Sequence, residues 1–248
     1  MTTPSITAAR LERLISTERF ATFLHAEPDP DVAVALYTWN AQVAGAFAEL
    51  LHHVEVLTRN AMHNQLTALH AQAPRRPAHK AWFDQPDWAK HHWFDIHAEK
   101  AIAKATSRAG HRPHNPRPGK VIAALNFGFW RYLTSPRYEQ SFWTPALDHA
   151  FNTPGATPQN RRQTVENQLI VLHTLRNRIS HCEPIIRPIR YTPRRQPRTS
   201  KTLDQIYTTA IEHVSYISPT AARWLEHQTR TLPQLLHNRP TTPSGLAP

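Results

Sequence analysis

The chain has little of what many folds and chemistries require. One cysteine, Cys182, stands alone in 248 residues, so no intrachain disulfide can form and a reducing, cytoplasmic setting is expected. Six glycines hardly permit a phosphate-cradling loop, which argues against a nucleotide-hydrolysing motor. No Gly-x-Ser-x-Gly elbow occurs, so Ser180 beside His181 is not a hydrolase arrangement. No apolar run approaches the roughly 18 residues of a membrane span. Met1-Thr2-Thr3-Pro4-Ser5 lacks the basic start and apolar core of a signal peptide. Alternating runs of β type are also missing. Residues 185–191 are the best strand candidate, and their prolines restrict them to an edge. Acidic side chains are scarce: 18 Asp and Glu face 29 Lys and Arg, a formal net charge of +11. That excess favours a polyanionic partner, RNA or DNA before a membrane surface.

What is present reads as helices divided by proline-rich loops. The composition, 40% hydrophobic with seven tryptophans, supports a folded chain. A first helix is expected over residues 5–24. Asp29 then serves as an N-cap with Pro30 at the first helical position. Residues 31–72 hold no proline and one glycine, Gly45, which predicts one very long helix or two joined there. Further helices are expected within 82–109, over 121–133, from Thr157 and Pro158 to about 182, over 203–217 and over 219–229. In Phe127-Gly128-Phe129-Trp130 the glycine allows a neighbouring element to approach closely. The loop 110–119 is basic and irregular, and the tail 240–248 is expected to be disordered. The fold class is all-α, a helix bundle in one domain over residues 1–239.

One stretch, Arg176-Asn177-Arg178-Ile179-Ser180-His181, stands out. The apolar positions Val165, Leu169, Leu172, Leu175 and Ile179 mark a core-facing helical stripe. Arg176 falls near the middle of that stripe. A guanidinium there is costly to desolvate unless something requires it. Arginine followed by histidine at similar spacing also occurs at Arg19/His25, Arg108/His114 and Arg230/His237. Only Arg176 is followed by asparagine, lies on an apolar-striped helix and ends against a helix stop, Glu183-Pro184.

This segment, with Leu36-Tyr37-x-x-Asn40, Val54-Glu55-Val56-Leu57-Thr58-Arg59-Asn60-Ala61 and Phe127-Gly128-Phe129-Trp130, resembles the Abi-like family of bacterial proteins linked to abortive phage infection. That family is similar to the HEPN superfamily of α-helical domains. The resemblance spans residues 14–217. It implies a HEPN-type bundle that dimerises and, in many members, cuts RNA without metal through an Arg-x(4–6)-His motif. By resemblance Arg176, Asn177 and His181 match that motif. The alternative is a helix terminus where Arg176 pairs structurally and His181 caps the last carbonyls.

Metal-free RNA cleavage uses the neighbouring 2′-OH as nucleophile. Histidine suits the proton transfers and arginine the phosphorane charge. His181 is the expected acid or base, Arg176 the phosphate clamp, and Asn177 an orienting group one turn before His181. One histidine is thin for two transfers, so a homodimer joining two motifs is expected. Glu55 and Arg59 are candidate supporting residues: Glu55 either holds Arg176 or pairs locally with Arg59. Arg187, Arg190, Arg194, Arg195, Arg198 and Lys201 form a candidate RNA-binding strip or a solvated linker. Trp82, Trp88, Trp93 and Phe94 beside Lys90 are core or a base-stacking platform. Seventeen histidines make chance clusters common, so His91, His92, Asp95 and His97 weigh little as a metal site and no cofactor is expected. Two other readings stay open: a non-catalytic RNA- or protein-binding module, and the toxin half of a toxin–antitoxin pair with an antitoxin or nucleotidyltransferase partner.

Overall fold

The computed structural model describes residues 6–72, 81–84, 94–112, 114–193 and 197–242. Helix α1 (Ala8–Ile15) and helix α2 (Thr17–Leu24) replace the single first helix expected. Ser16 breaks it with φ 79° and ψ 151°, a conformation almost reserved for glycine. Its hydroxyl accepts the Arg19 N–H at 3.3 Å. The break lets Leu11 and the pair Phe20 and Phe23 all reach the core.

Helix α3 (Pro30–Ala71) is a single 42-residue rod, about 63 Å long at 1.5 Å per residue. Asp29 caps it by accepting the N–H groups of Asp31 at 2.8 Å and Val32 at 3.2 Å. Its buried stripe runs through 33, 36, 40, 43, 47, 50, 54, 58, 62, 66 and 70, at spacings of three and four, with Trp39 and Leu51 buried beside it. Gly45 does not interrupt it, because cooperative packing on both sides outweighs the roughly 1 kcal/mol that glycine costs a helix.

Helix α4 (Ile96–Ala109) starts at the Asp95 cap and stops at Gly110, whose φ of 62° makes the left-handed exit. Helices α5 (Pro118–Ala124) and α6 (Phe127–Leu133) divide what reads in the sequence as one helix. The Asn126 side chain accepts the Phe129 N–H at 2.9 Å and so starts a new helix in place of continuing the old one. Residues 136–150 form short 3₁₀ and π turns that carry no periodic signal.

Helix α7 (Pro158–Ser180) packs against α3 and α6. A hairpin of β1 (Ile189–Tyr191) and β2 (Thr199–Lys201) follows, pairing Ile189 with Lys201 and Tyr191 with Thr199. Helix α8 (Leu203–Ile217) opens with a capping box between Thr202 and Gln205. Helix α9 (Pro219–Gln228) and a last helix, α10 (Leu232–His237), complete the fold. The last helix went unmarked in the sequence because it is too short for a periodic stripe. The fold is all-α with this one minor hairpin among the described residues. Buried side chains from α1 to α10 join in one apolar cluster around α3. No helix among the described residues is long and apolar enough to cross a membrane. Residues 243–248 of the expected tail lie outside the described residues, whereas Thr242 is anchored by its N–H to Glu27 at 2.8 Å.

Candidate active site at the end of α7

The end of α7 is a Schellman turn. The Cys182 N–H donates to the Ile179 carbonyl at 3.0 Å and the Glu183 N–H to the Arg178 carbonyl at 2.8 Å. Cys182 holds the left-handed position, φ 55°, that glycine usually takes. Its carbonyl accepts a hydrogen bond from the Arg19 guanidinium of α2. Among the described residues Ser16 and Cys182 are the two non-glycine residues with positive φ, and Arg19 ties one to the other. Backbone strain of this kind concentrates where surrounding structure enforces it, often at functional sites.

The expected core-facing position of Arg176 is corrected by the structure. Leu172 and Leu175 fill the core at 0% exposure, while the Arg176 side chain lies beside them, 40% exposed. A turn of 100° per residue is enough to carry it from the stripe to the rim. There Arg176 Nε stands 3.8 Å from Glu55 Oε2. Glu55 therefore reaches across to α7 instead of along α3 to Arg59. Burial lowers the pKa of His63, and the charge of Arg59 adds to that. Asn177 is half-buried and His181 exposed. No hydrogen bond orients the His181 ring among the described residues; its backbone N–H closes the helix by donating to Asn177 O at 3.0 Å. Arg178 pairs with Glu183 at 3.2 Å. Beside it, Arg178, Arg187, His25 and Glu18 line a recess of about 580 Å³.

One histidine that sequence reasoning passed over is His173, one turn before Asn177. Burial first, then the charges of Arg131 and Arg176, push its pKa down to about 4, so it is neutral at pH 7. It packs on Gly128: a Cβ there would stand 3.2 Å from His173 Nε2 and 3.2 Å from Asn126 Oδ1. The close approach expected at Gly128 is thus made by His173, and the glycine was the signal that could have found it.

The basic strip is divided. Arg187, Arg190 and Arg198 are exposed. Lys201 is only half-exposed, and its Nζ donates to Thr209 Oγ1 at 2.6 Å, so its role is to fasten the hairpin to α8. Arg194 and Arg195 lie outside the described residues. Of the two readings of the aromatic cluster, its described members take the core one. Trp82 is 1% exposed and Phe94 5%, packed with Phe129, Trp130 and Phe142 as core. Trp88, Lys90 and Trp93 lie outside the described residues. Asp95 caps α4, accepts from Tyr132 and Tyr138, and pairs with Arg137 at 3.1 Å. Those partners occupy it as a structural hub; His91 and His92 lie outside the described residues. No metal-binding cluster occurs among the described residues. Comparison with protein-family models, with curated proteins and with solved structures gives no match to this chain.

Proposed function

We propose that this chain is a metal-independent endoribonuclease of the Abi-like HEPN type, acting in the cytoplasm in phage defence by abortive infection. The observation that carries the reading is the open end of α7. Arg176, Asn177 and His181 leave a helix terminus with side chains that reach solvent, and among the described residues Arg176 has a single long ion pair, 3.8 Å from Glu55. A guanidinium held loosely in that way keeps donors for a phosphate, where bidentate geometry is strongest. Glu55 positions it. His181 then exchanges protons with the 2′-OH or the leaving 5′ oxygen, and Asn177 orients the ring or the phosphate. The surplus of positive charge draws RNA toward that end.

Among the described residues the His181 ring has no orienting partner. Helical geometry also spreads Arg176 and His181 about 140° apart around the axis. Both facts favour a homodimer in which the second copy completes the cleft. They equally favour the second reading, an RNA-binding module that holds without cutting.

Incubation with total RNA in EDTA decides between them. Cleavage with 2′,3′-cyclic phosphate ends is expected, lost in Arg176→Ala and His181→Ala while helical circular dichroism is unchanged. Sedimentation should give a dimer. Binding without products, or full activity in both variants, overturns the nuclease.

A further inference from the structure

Two neighbouring cavities run along α4. One, about 420 Å³, lies between His97 and Ala101 of α4 and Asn126, Gly128, Arg131 and Tyr132. The other, about 250 Å³, is lined by Lys100, Lys104 and Arg108 of α4 against Ala124, Leu125 and Asn126. Ala101 and Asn126 belong to both, so the two make one groove. Its described walls carry no carboxylate. Lys100, Lys104 and Arg108 are exposed, and among the described residues no ion pair engages any of them.

We propose that this groove binds single-stranded RNA and leads it to the end of α7. Lys100, Lys104 and Arg108 recur every four residues, so they form a row with steps of about 6 Å along α4. A row of cations without counter-charges among the described residues attracts a phosphodiester backbone, which gains by releasing its counterions. The larger cavity suits a base. His97 and Tyr132 meet edge to face, ring centroids 6.5 Å apart, and offer aromatic surface for stacking. The Asn126 amide stands at the junction, where an unpaired base edge can be met by hydrogen bonds. A duplex keeps its bases stacked inward and cannot place one there. The groove's inner wall is Gly128, and behind it His173 stands on the same face of α7 as Arg176. The strand therefore arrives beside the proposed phosphate clamp. The choice of RNA over DNA rests on the nuclease reading above.

The test is fluorescence anisotropy with a labelled 12-nucleotide single-stranded RNA in EDTA. It uses full-length protein carrying His181→Ala, so that binding is read without cleavage. Lys100→Glu with Lys104→Glu is expected to weaken binding at least tenfold. It should also reduce the slope of log affinity against log salt by about 1.4, roughly 0.7 per phosphate contact on a single strand. Arg223→Glu, on the exposed face of α9, should change neither. Ultraviolet cross-links should map to residues 96–132. Wild-type affinity in the double variant, or an equal loss with Arg223→Glu, overturns the groove. Tighter binding of the matching single-stranded DNA overturns the RNA assignment. If the groove variants lose binding while the His181-containing protein never cuts RNA, the groove stands and the nuclease falls. If that protein cuts and the groove variants bind and cut like wild type, the reverse holds.

Discussion

The two ends of α7 use arginine in opposite ways. Near the start, Arg161 pairs with Asp148 at 2.9 Å and donates to Thr153. Arg162, its side chain 8% exposed, pairs with Glu166 at 2.8 Å and Glu139 at 3.2 Å and donates to the Thr134 carbonyl at 3.0 Å. Near the end, Arg176 has one pair among the described residues, at 3.8 Å, and a 40% exposed side chain. Desolvated charges must be matched in full, whereas charges at a rim need no such matching. The closed end holds the turns of residues 136–150 to the bundle. The open end leaves the Arg176 guanidinium at the surface with a long pair. Net charge of +11 does not reveal this division; only the partners of each arginine do.

The sharpest way to break the comparison is to truncate one arginine at each end. Arg162→Ala removes the buried cation paired with Glu166, whose side chain is 2% exposed, and should cost about 3–5 kcal/mol in urea denaturation. Arg176→Ala should cost less than about 1 kcal/mol, as for other half-exposed pairs. Similar losses at the two positions would show that both arginines are structural and would remove the open end.

Acid should also act on the buried histidines. Gln168 of α7 donates its amide to Glu212 at 3.1 Å, so its oxygen accepts the His213 Nδ1–H at 3.2 Å. His213 Nε2 then accepts the Thr58 hydroxyl at 2.9 Å. Burial pushes the His213 pKa down to about 3. Burial likewise lowers His173, to about 4, and His63. The His213 and His173 rings stay neutral in the fold between pH 7 and 5 but take a proton when unfolded below about pH 6.5. Stability is complete above that pH and falls as the pH drops toward the folded values, by up to about 1.4 kcal/mol per pH unit for each ring. Denaturation midpoints between pH 7 and 5 should show the decline, and His213→Gln should flatten it. An unchanged slope in that variant would mean that His213 takes no part.

Between the two ends stands Gly128. In Gly128→Ala the new methyl would meet His173 Nε2 and Asn126 Oδ1, both at 3.2 Å, tighter than ordinary contact. Asn126 is committed to capping α6, so His173 must give way. A loss of about 1–2 kcal/mol is expected, with a raised His173 pKa by NMR titration as the ring moves toward water. A variant as stable as wild type would show that the contact is slack.

Caps and stripes were the legible part. Asp29-Pro30, Thr157-Pro158, Thr202 and Ser218 each start a helix where the sequence places one, because a side-chain acceptor and a preset φ act locally. The stripe on α3 set its inward face. The breaks at Ser16 and Asn126 were not legible, since each depends on what the following helix must reach in the core. At the site, the motif's place at a helix end could be read, as could the close approach at Gly128. The rotation of Arg176 to the rim and the pairing of Glu55 across helices could not, because both depend on how α7 lies on α3. Lys100, Lys104 and Arg108 look like any exposed helix face until α5 and α6 form the opposite wall.

The smallest effect tests whether the turn at the open end is strained for a purpose. Cys182 is exposed and occupies a left-handed position at φ 55°, where a side chain costs about 1 kcal/mol or more relative to glycine. Cys182→Gly relieves that strain but gives the unfolded chain more freedom, so a net gain of about 0.5–1 kcal/mol is expected in urea denaturation. Stabilising changes at strained functional positions tend to cost activity. The same variant should therefore cut RNA more slowly than wild type, since the turn sets how His181 leaves the helix. Gain of stability with undiminished cleavage would make the cysteine a tolerated imperfection of the turn. Gain of stability with slower cleavage would tie the strain to the presentation of His181, and with it the contrast between the closed and open ends of α7.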